Sequence, residues 1–122
     1  MKHLLGIDDL SPTDITMILD RAQHYADGLE SDDWDRQRLN GRLILHLFFE
    51  NSTRTLTSFE VAAKRLGADV INWNKETSSL KKGESFMDTI DTLNAMRPDA
   101  VVLRHSEYGA PQYVANAWIA PL

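Results

Sequence analysis

Between Ser11 and about Leu29, apolar residues recur at helical spacing: Ile15, Ile18, Leu19, Ala22 and Ala26. That periodicity predicts an amphipathic first helix. Ser11-Pro12-Thr13-Asp14 supplies its start, with a capping serine, a proline at the first helical position and an acid placed to complete the cap. Glu30 to Gly41 is polar and reads as a solvated connection. Leu43 to Phe49 is then almost continuously apolar, broken only by His46. A run of that length without alternation predicts a strand covered on both faces, as in a parallel sheet. Polar Glu50 to Thr53 follows. Phe59, Ala62, Ala63 and Leu66 then mark a second helix, stopped by Gly67. Asp69 to Trp73 predicts a second strand and Asn74 to Gly83 a loop. Phe86, Ile90 and Leu93 predict a third helix that ends before Pro98. Ala100 to Arg104 predicts a third strand, and Pro111 opens a last helix with Val114, Ala117 and Trp118.

Strand and helix therefore alternate three times after one leading helix. Right-handed crossovers make this an α/β fold, a three-layer parallel sheet flanked by helices, spanning residues 1–122 as a single domain. The expected next strand is missing after Ile119-Ala120-Pro121-Leu122, so this domain is expected to be incomplete.

Charge narrows the ligand more than it narrows the fold. Against 13 lysines and arginines stand 18 acids, a formal net charge of -5. A broad basic face for nucleic acid is not expected, so an anionic ligand must be held by a few well-placed cations. The chain has no cysteine, which removes disulfides, thiolate chemistry and cysteine-bound zinc. No apolar run approaches the roughly 20 residues that span a bilayer, and the first residues lack a signal-peptide core. A soluble, cytoplasmic protein without membrane contact is expected.

In open parallel sheets, ligands bind beyond the carboxyl ends of the strands. Polar groups cluster at all three of those ends. After the first strand come Ser52, Thr53, Arg54 and Thr55 at a helix start, where free backbone N–H groups and the dipole favour an anion. The hydroxyls add donors, and Arg54 adds a planar fork that matches phosphate oxygens. Alone, these four residues read more readily as a helix start, capped by Ser52, with one surface arginine. After the second strand come Ser78, Ser79, Lys81, Lys82, Gly83 and Glu84; alone, the two lysines read as solvated charge. After the third strand come Arg104 and His105. An arginine at the buried end of an apolar strand needs a partner, either an acid or a ligand. Three cationic loops in equivalent positions together describe a pocket for a small, highly anionic compound.

Phe48-Phe49-Glu50-Asn51-Ser52-Thr53-Arg54-Thr55-Leu56-Thr57-Ser58-Phe59-Glu60 resembles the carbamoyl-phosphate signature of the aspartate and ornithine carbamoyltransferases. Ser78-Ser79-Leu80-Lys81-Lys82-Gly83-Glu84-Ser85 with Asp88-Thr89, and Val101-Val102-Leu103-Arg104-His105, match that family in order and spacing. Asn51 and the Lys82-Gly83-Glu84 loop favour the aspartate branch. Leu56 stands where the family often has an arginine, between positions that bind phosphate.

The resemblance implies transfer of the carbamoyl group of carbamoyl phosphate to L-aspartate, giving N-carbamoyl-L-aspartate and phosphate in pyrimidine biosynthesis. It implies neither a metal nor an organic cofactor. Ser52, Thr53, Arg54 and Thr55 would hold the phosphate, with Thr55 and Arg104 beside the carbamoyl oxygen. Ser78 and Lys82 would act in a neighbouring subunit's site, which implies a homotrimer. The catalytic set is then Arg54, Thr55, Arg104 and Lys82. The family resemblance also implies a chain roughly twice this long, in two domains of similar size. The segment His-Pro-x-Gln and the aspartate-binding domain fall outside this sequence. His105 does not replace the missing histidine, and His3, His24 and His46 are assigned no site role. The chain is thus expected to supply a phosphate-binding half-site and to be inactive alone. The alternative is a stand-alone carbamoyl-phosphate or phosphate-binding module, or an inactive partner subunit.

Overall fold

A computed structural model describes residues 2–74 and 86–118. It divides into two compact units, Met1–Asp35 and Arg36–Leu122. The first holds a short 3-10 turn, Ile7–Asp9, and helix α1, Pro12–Ser31, two residues longer than the periodicity predicts. Its start follows the sequence closely. The Asp14 N–H donates to the Ser11 hydroxyl and the Ser11 N–H to the Asp14 carboxylate, both at 3.1 Å. The helix ends with Asp32 in the left-handed region at φ 55°.

The second unit contains β1 (Leu43–Phe48), α2 (Thr53–Arg65), β2 (Asp69–Asn74), α3 (Phe86–Ala95), β3 (Ala100–Arg104) and α4 (Ala110–Ala117). All three strands are parallel, in the order β2-β1-β3. β1 is therefore the central strand, which is why its sequence does not alternate. Leu45, His46, Leu47 and Phe48 are all buried.

Alternation of side chains along β1 sorts the helices onto opposite faces. Leu45, Leu47 and Phe49 form one core with Ile90 and Leu93 of α3 and Val114 of α4. Trp73, Val101 and Leu103 pack against that core from the flanking strands. They are the register partners of Leu47, Leu45 and Leu47, so they point to the same side. His46 points the other way and meets the edge of Phe59 from α2, with ring centroids 6.3 Å apart. The result is the expected three layers, with α2 on one face and α3 and α4 on the other.

Asp99 locks β1 to β3 at the amino ends of the strands. Its carboxylate accepts the Leu43 N–H at 2.9 Å and pairs with Arg42 at 3.3 Å, while its own N–H donates to the Leu43 carbonyl at 2.8 Å. These contacts fix the register that sets Phe48 opposite Arg104.

The stretch expected as a solvated connection is corrected in part. Its first residues belong to α1, and its last belong to a turn seated on the end of α2. Leu39 N–H donates to the Leu66 carbonyl at 2.8 Å, and a Cβ at Gly67 would lie 2.7 Å from the Arg36 carbonyl oxygen. Gly67 also takes φ 89°, so the second helix is stopped by a left-handed glycine with a backbone against it.

Candidate functional site

The chain passes from β1 through α2 to β2 on one side and then returns to β3 on the other. The strand order thus reverses at β1, and the crevice beyond the carboxyl ends of β1 and β3 is the topological switch point. Open α/β sheets bind ligands there. Two of the three cationic segments sit at that edge. Residues 52–55 open α2 immediately beyond β1, and Arg104 ends β3 opposite Phe48. The strand end is tied across by the Phe49 N–H, which donates to the Arg104 carbonyl at 2.8 Å.

Ser52 occupies the N-cap position of α2, but its hydroxyl makes no capping hydrogen bond, contrary to expectation. Backbone geometry explains the difference. Ser11, which caps α1, has ψ 160°, whereas Ser52 has φ -155° and ψ 71°, which turns its side chain away from the first-turn N–H groups. The first helical bond is the Leu56 N–H to the Ser52 carbonyl at 3.0 Å. The N–H groups of Thr53, Arg54 and Thr55 lie ahead of it without an acceptor among the described residues. Three backbone donors and the positive end of the helix thus open at this edge, and Arg54 in the same turn is exposed. Ser58 Oγ donates back to the Arg54 carbonyl at 2.8 Å and leaves the N–H groups untouched.

Arg104 departs from the expectation of a buried strand end. Its side chain is 46% exposed and its Nε pairs with Glu50 Oε1 at 3.1 Å; Glu50 is itself 40% exposed. β3 is an outer strand of the described sheet, and solvent reaches its last residue. The acid partner that the sequence reading left open is Glu50, two residues after β1. Pairing through Nε leaves both terminal nitrogens of Arg104 without a partner among the described residues, in a fork suited to an oxyanion.

Sequence reasoning missed what lies beneath these cations. Trp73, Phe49 and His105 form an aromatic row across the ends of all three strands. Centroids are 5.1 Å apart between Trp73 and Phe49, and 4.8 Å between Phe49 and His105. Register alone brings the three together, although the aromatic character of each strand end was visible. Glu107 N–H donates to His105 Nδ1 at 2.9 Å, so the neutral ring carries its proton on Nε2. A hollow of about 320 Å³, lined by His105, Glu107, Gly109, Ala110 and Tyr113, adjoins this row. A larger hollow of about 620 Å³ runs along α1 between Pro12 and His24 and contains none of the candidate residues.

Ser78 and Lys82 lie outside the described residues. Among those described, no group of three or more His, Asp or Glu side chains could hold a metal ion, and no helix is long and apolar enough to cross a membrane.

Residues 2–121 match the family described as aspartate/ornithine carbamoyltransferase, carbamoyl-P binding domain. The chain belongs to that family. It is 54% identical over 115 residues to the aspartate carbamoyltransferase catalytic subunit of Rhodospirillum rubrum, covering 94% of this chain and 36% of that protein. Solved structures agree. The aspartate transcarbamoylase of Trypanosoma cruzi in complex with carbamoyl aspartate and phosphate superposes with a TM-score of 0.88 at 33% identity, over 98% of this chain and 38% of that one. The catalytic subunit of M. jannaschii aspartate transcarbamoylase gives 0.86 at 38% identity, over 99% and 39%. The chain thus spans little more than a third of its relatives, which are nearer three times its length than twice.

Proposed function

We propose that the edge formed by β1, α2 and β3 is the phosphate-binding half of an aspartate carbamoyltransferase site. In the longer enzyme it would transfer the carbamoyl group of carbamoyl phosphate to the amine of L-aspartate, an early step of pyrimidine synthesis in the cytoplasm. One observation carries this reading: the N–H groups of Thr53, Arg54 and Thr55, without an acceptor among the described residues, open at the sheet's switch point, where Arg104 ends β3. The Trypanosoma cruzi relative, whose structure has been solved in complex with carbamoyl phosphate, supports the choice of ligand.

The residues divide the work by where charge grows. Aspartate's amine attacks the carbonyl carbon, and negative charge develops on the carbonyl oxygen. The Arg104 terminal nitrogens and the Thr55 hydroxyl would stabilise that oxygen. As the carbon–oxygen bond to phosphate breaks, the leaving group gains charge. Ser52, Thr53 and Arg54, with the helix N–H groups, would receive it. The protein contributes no nucleophile. Ser78 and Lys82 would complete the site of an adjacent subunit in a homotrimer.

Calorimetric titration with carbamoyl phosphate tests the half-site directly. A hydrogen-bonded charge pair is worth about 1.5–3 kcal/mol, so Arg54→Ala should weaken binding by about 10- to 100-fold. Equal affinity for the folded variant and the original chain would refute the assignment of Arg54.

A further inference from the structure

We infer that Glu60, Asn72 and His46 form a tether that aims the anion-binding end of α2, making them positioning residues for the site proposed above. The inference rests on that reading of the site.

The tether crosses three elements. Glu60 on α2 accepts from the Asn72 amide on β2 at 2.6 Å, and Asn72 Oδ1 lies 2.9 Å from His46 Nδ1 on β1. Lys64, one turn further along α2, donates to the other Glu60 oxygen at 2.7 Å. The proton positions follow by elimination. An ionised carboxylate only accepts, so the Asn72 nitrogen must face Glu60 and its oxygen must face His46. His46 Nδ1 must then carry the proton. The far nitrogen of His46, Nε2, is buried without a partner among the described residues. A histidine with no exposed surface thus aims its Nδ1–H at the amide that holds Glu60. Lys64 first, and Asn72 second, hold the Glu60 carboxyl below its ordinary value, which keeps the acceptor charged.

The geometry explains why a tether is needed. α2 buries only Ala63, while Phe59 and Val61 stay 45% and 44% exposed. With Leu56 only half-buried and Phe59 edge-on to His46, apolar packing seats the helix lightly and a polar link can set its angle. Glu60 lies seven residues after Thr53, about two turns and about 10 Å along the same face. A tilt of about 5° pivoting there moves the Thr53–Thr55 N–H groups by about 1 Å, enough to spoil hydrogen bonds to a bound anion.

Inorganic phosphate titrated calorimetrically into this chain separates a tether from a charge. Glu60→Ala and Glu60→Gln remove the same negative charge, which by Coulomb's law alone would tighten phosphate binding in both. The glutamine keeps an oxygen for Asn72. A tether therefore predicts binding about 10-fold weaker for Glu60→Ala and within about 2-fold of the original for Glu60→Gln. Asn72→Leu, which cuts both links, should match Glu60→Ala. Leu93→Ala, on the opposite face of the sheet, supplies a destabilised control that should keep its phosphate affinity. Equal affinities for the two Glu60 variants, or an equal loss in Leu93→Ala, would overturn the tether. Phosphate binding that ignores Arg54→Ala would instead overturn the site itself. Binding that needs Arg54 but ignores Glu60→Ala would leave the site standing and remove the tether.

Discussion

Gly67 and Gly41 allow backbone strain to be separated from a steric clash. Both have left-handed backbones, φ 89° and 80°, but only Gly67 has a neighbour where a Cβ would stand. An alanine in the left-handed region costs about 1–2 kcal/mol. It recovers about 0.4–1 kcal/mol by stiffening the unfolded chain. Gly41→Ala should therefore destabilise by about 1 kcal/mol. Gly67→Ala carries the same strain and sets a Cβ 2.7 Å from the Arg36 carbonyl oxygen, a backbone atom that cannot rotate away. Overpacking of this kind adds about 1–3 kcal/mol, for a total of about 2–4 kcal/mol. Urea unfolding followed by circular dichroism reads the difference. With slopes of about 1–3 kcal/mol per molar, the Gly67→Ala midpoint should fall about 1 M below that of Gly41→Ala. Coincident midpoints would mean that the turn before β1 is not seated on the end of α2.

Leu47 is 1% exposed at the centre of the core, and Leu47→Ala should cost about 3–4 kcal/mol by urea titration. A loss under about 1 kcal/mol would show that α3 and α4 do not cover that face of β1. Acid should weaken the fold through Asp99, whose carboxyl is held below its ordinary 3.8 chiefly by the Leu43 N–H and also by Arg42. A depressed carboxyl stabilises fully above its unfolded value and loses that contribution as pH falls through the native one. Asp99→Asn should thus be less stable near about pH 6 and lose less on acidification toward about pH 3; parallel pH profiles would refute this. In the proposed trimer, mixing Lys82→Ala with Arg54→Ala under subunit exchange should restore activity at interfaces that draw one intact residue from each chain. No recovery would count against a shared site.

What could be read in advance depended on whether local spacing carried the information. The non-alternating Leu43–Phe49 run, broken only by His46, identified a doubly covered strand, and it proved to be the central one. The Ser11 cap was legible because the residue and its backbone agree, whereas Ser52 has the right identity at the wrong ψ. Pairings set by topology were out of reach. His46 meets Asn72 because β1 and β2 place them in register, and nothing in either strand's own sequence fixes that register. The contact of His46 with Asn72 was illegible for that reason, and His46 was assigned no site role from its own strand. Glu50 was visible beside the anion motif and Arg104 beside the third strand, yet only the adjacency of β1 and β3 pairs them.

That adjacency also explains how an acidic chain can present a cationic edge. The sheet order places the amino end of α2 and the end of β3 on the same crevice, so a helix dipole and Arg104 meet there within a chain of net charge -5. Glu50 moderates the convergence. A guanidinium beside the positive end of a helix is repelled in the absence of an anion, and a carboxylate on Arg104 Nε offsets part of that repulsion while leaving the terminal nitrogens available. An exposed pair of this kind contributes only about 0.2–1 kcal/mol, so an arriving oxyanion can compete for Arg104 at small cost. A deeply buried pair would hold the arginine more firmly and resist that exchange. The exposure of Arg104, unexpected from its apolar strand, thus suits the anion-binding role proposed for it.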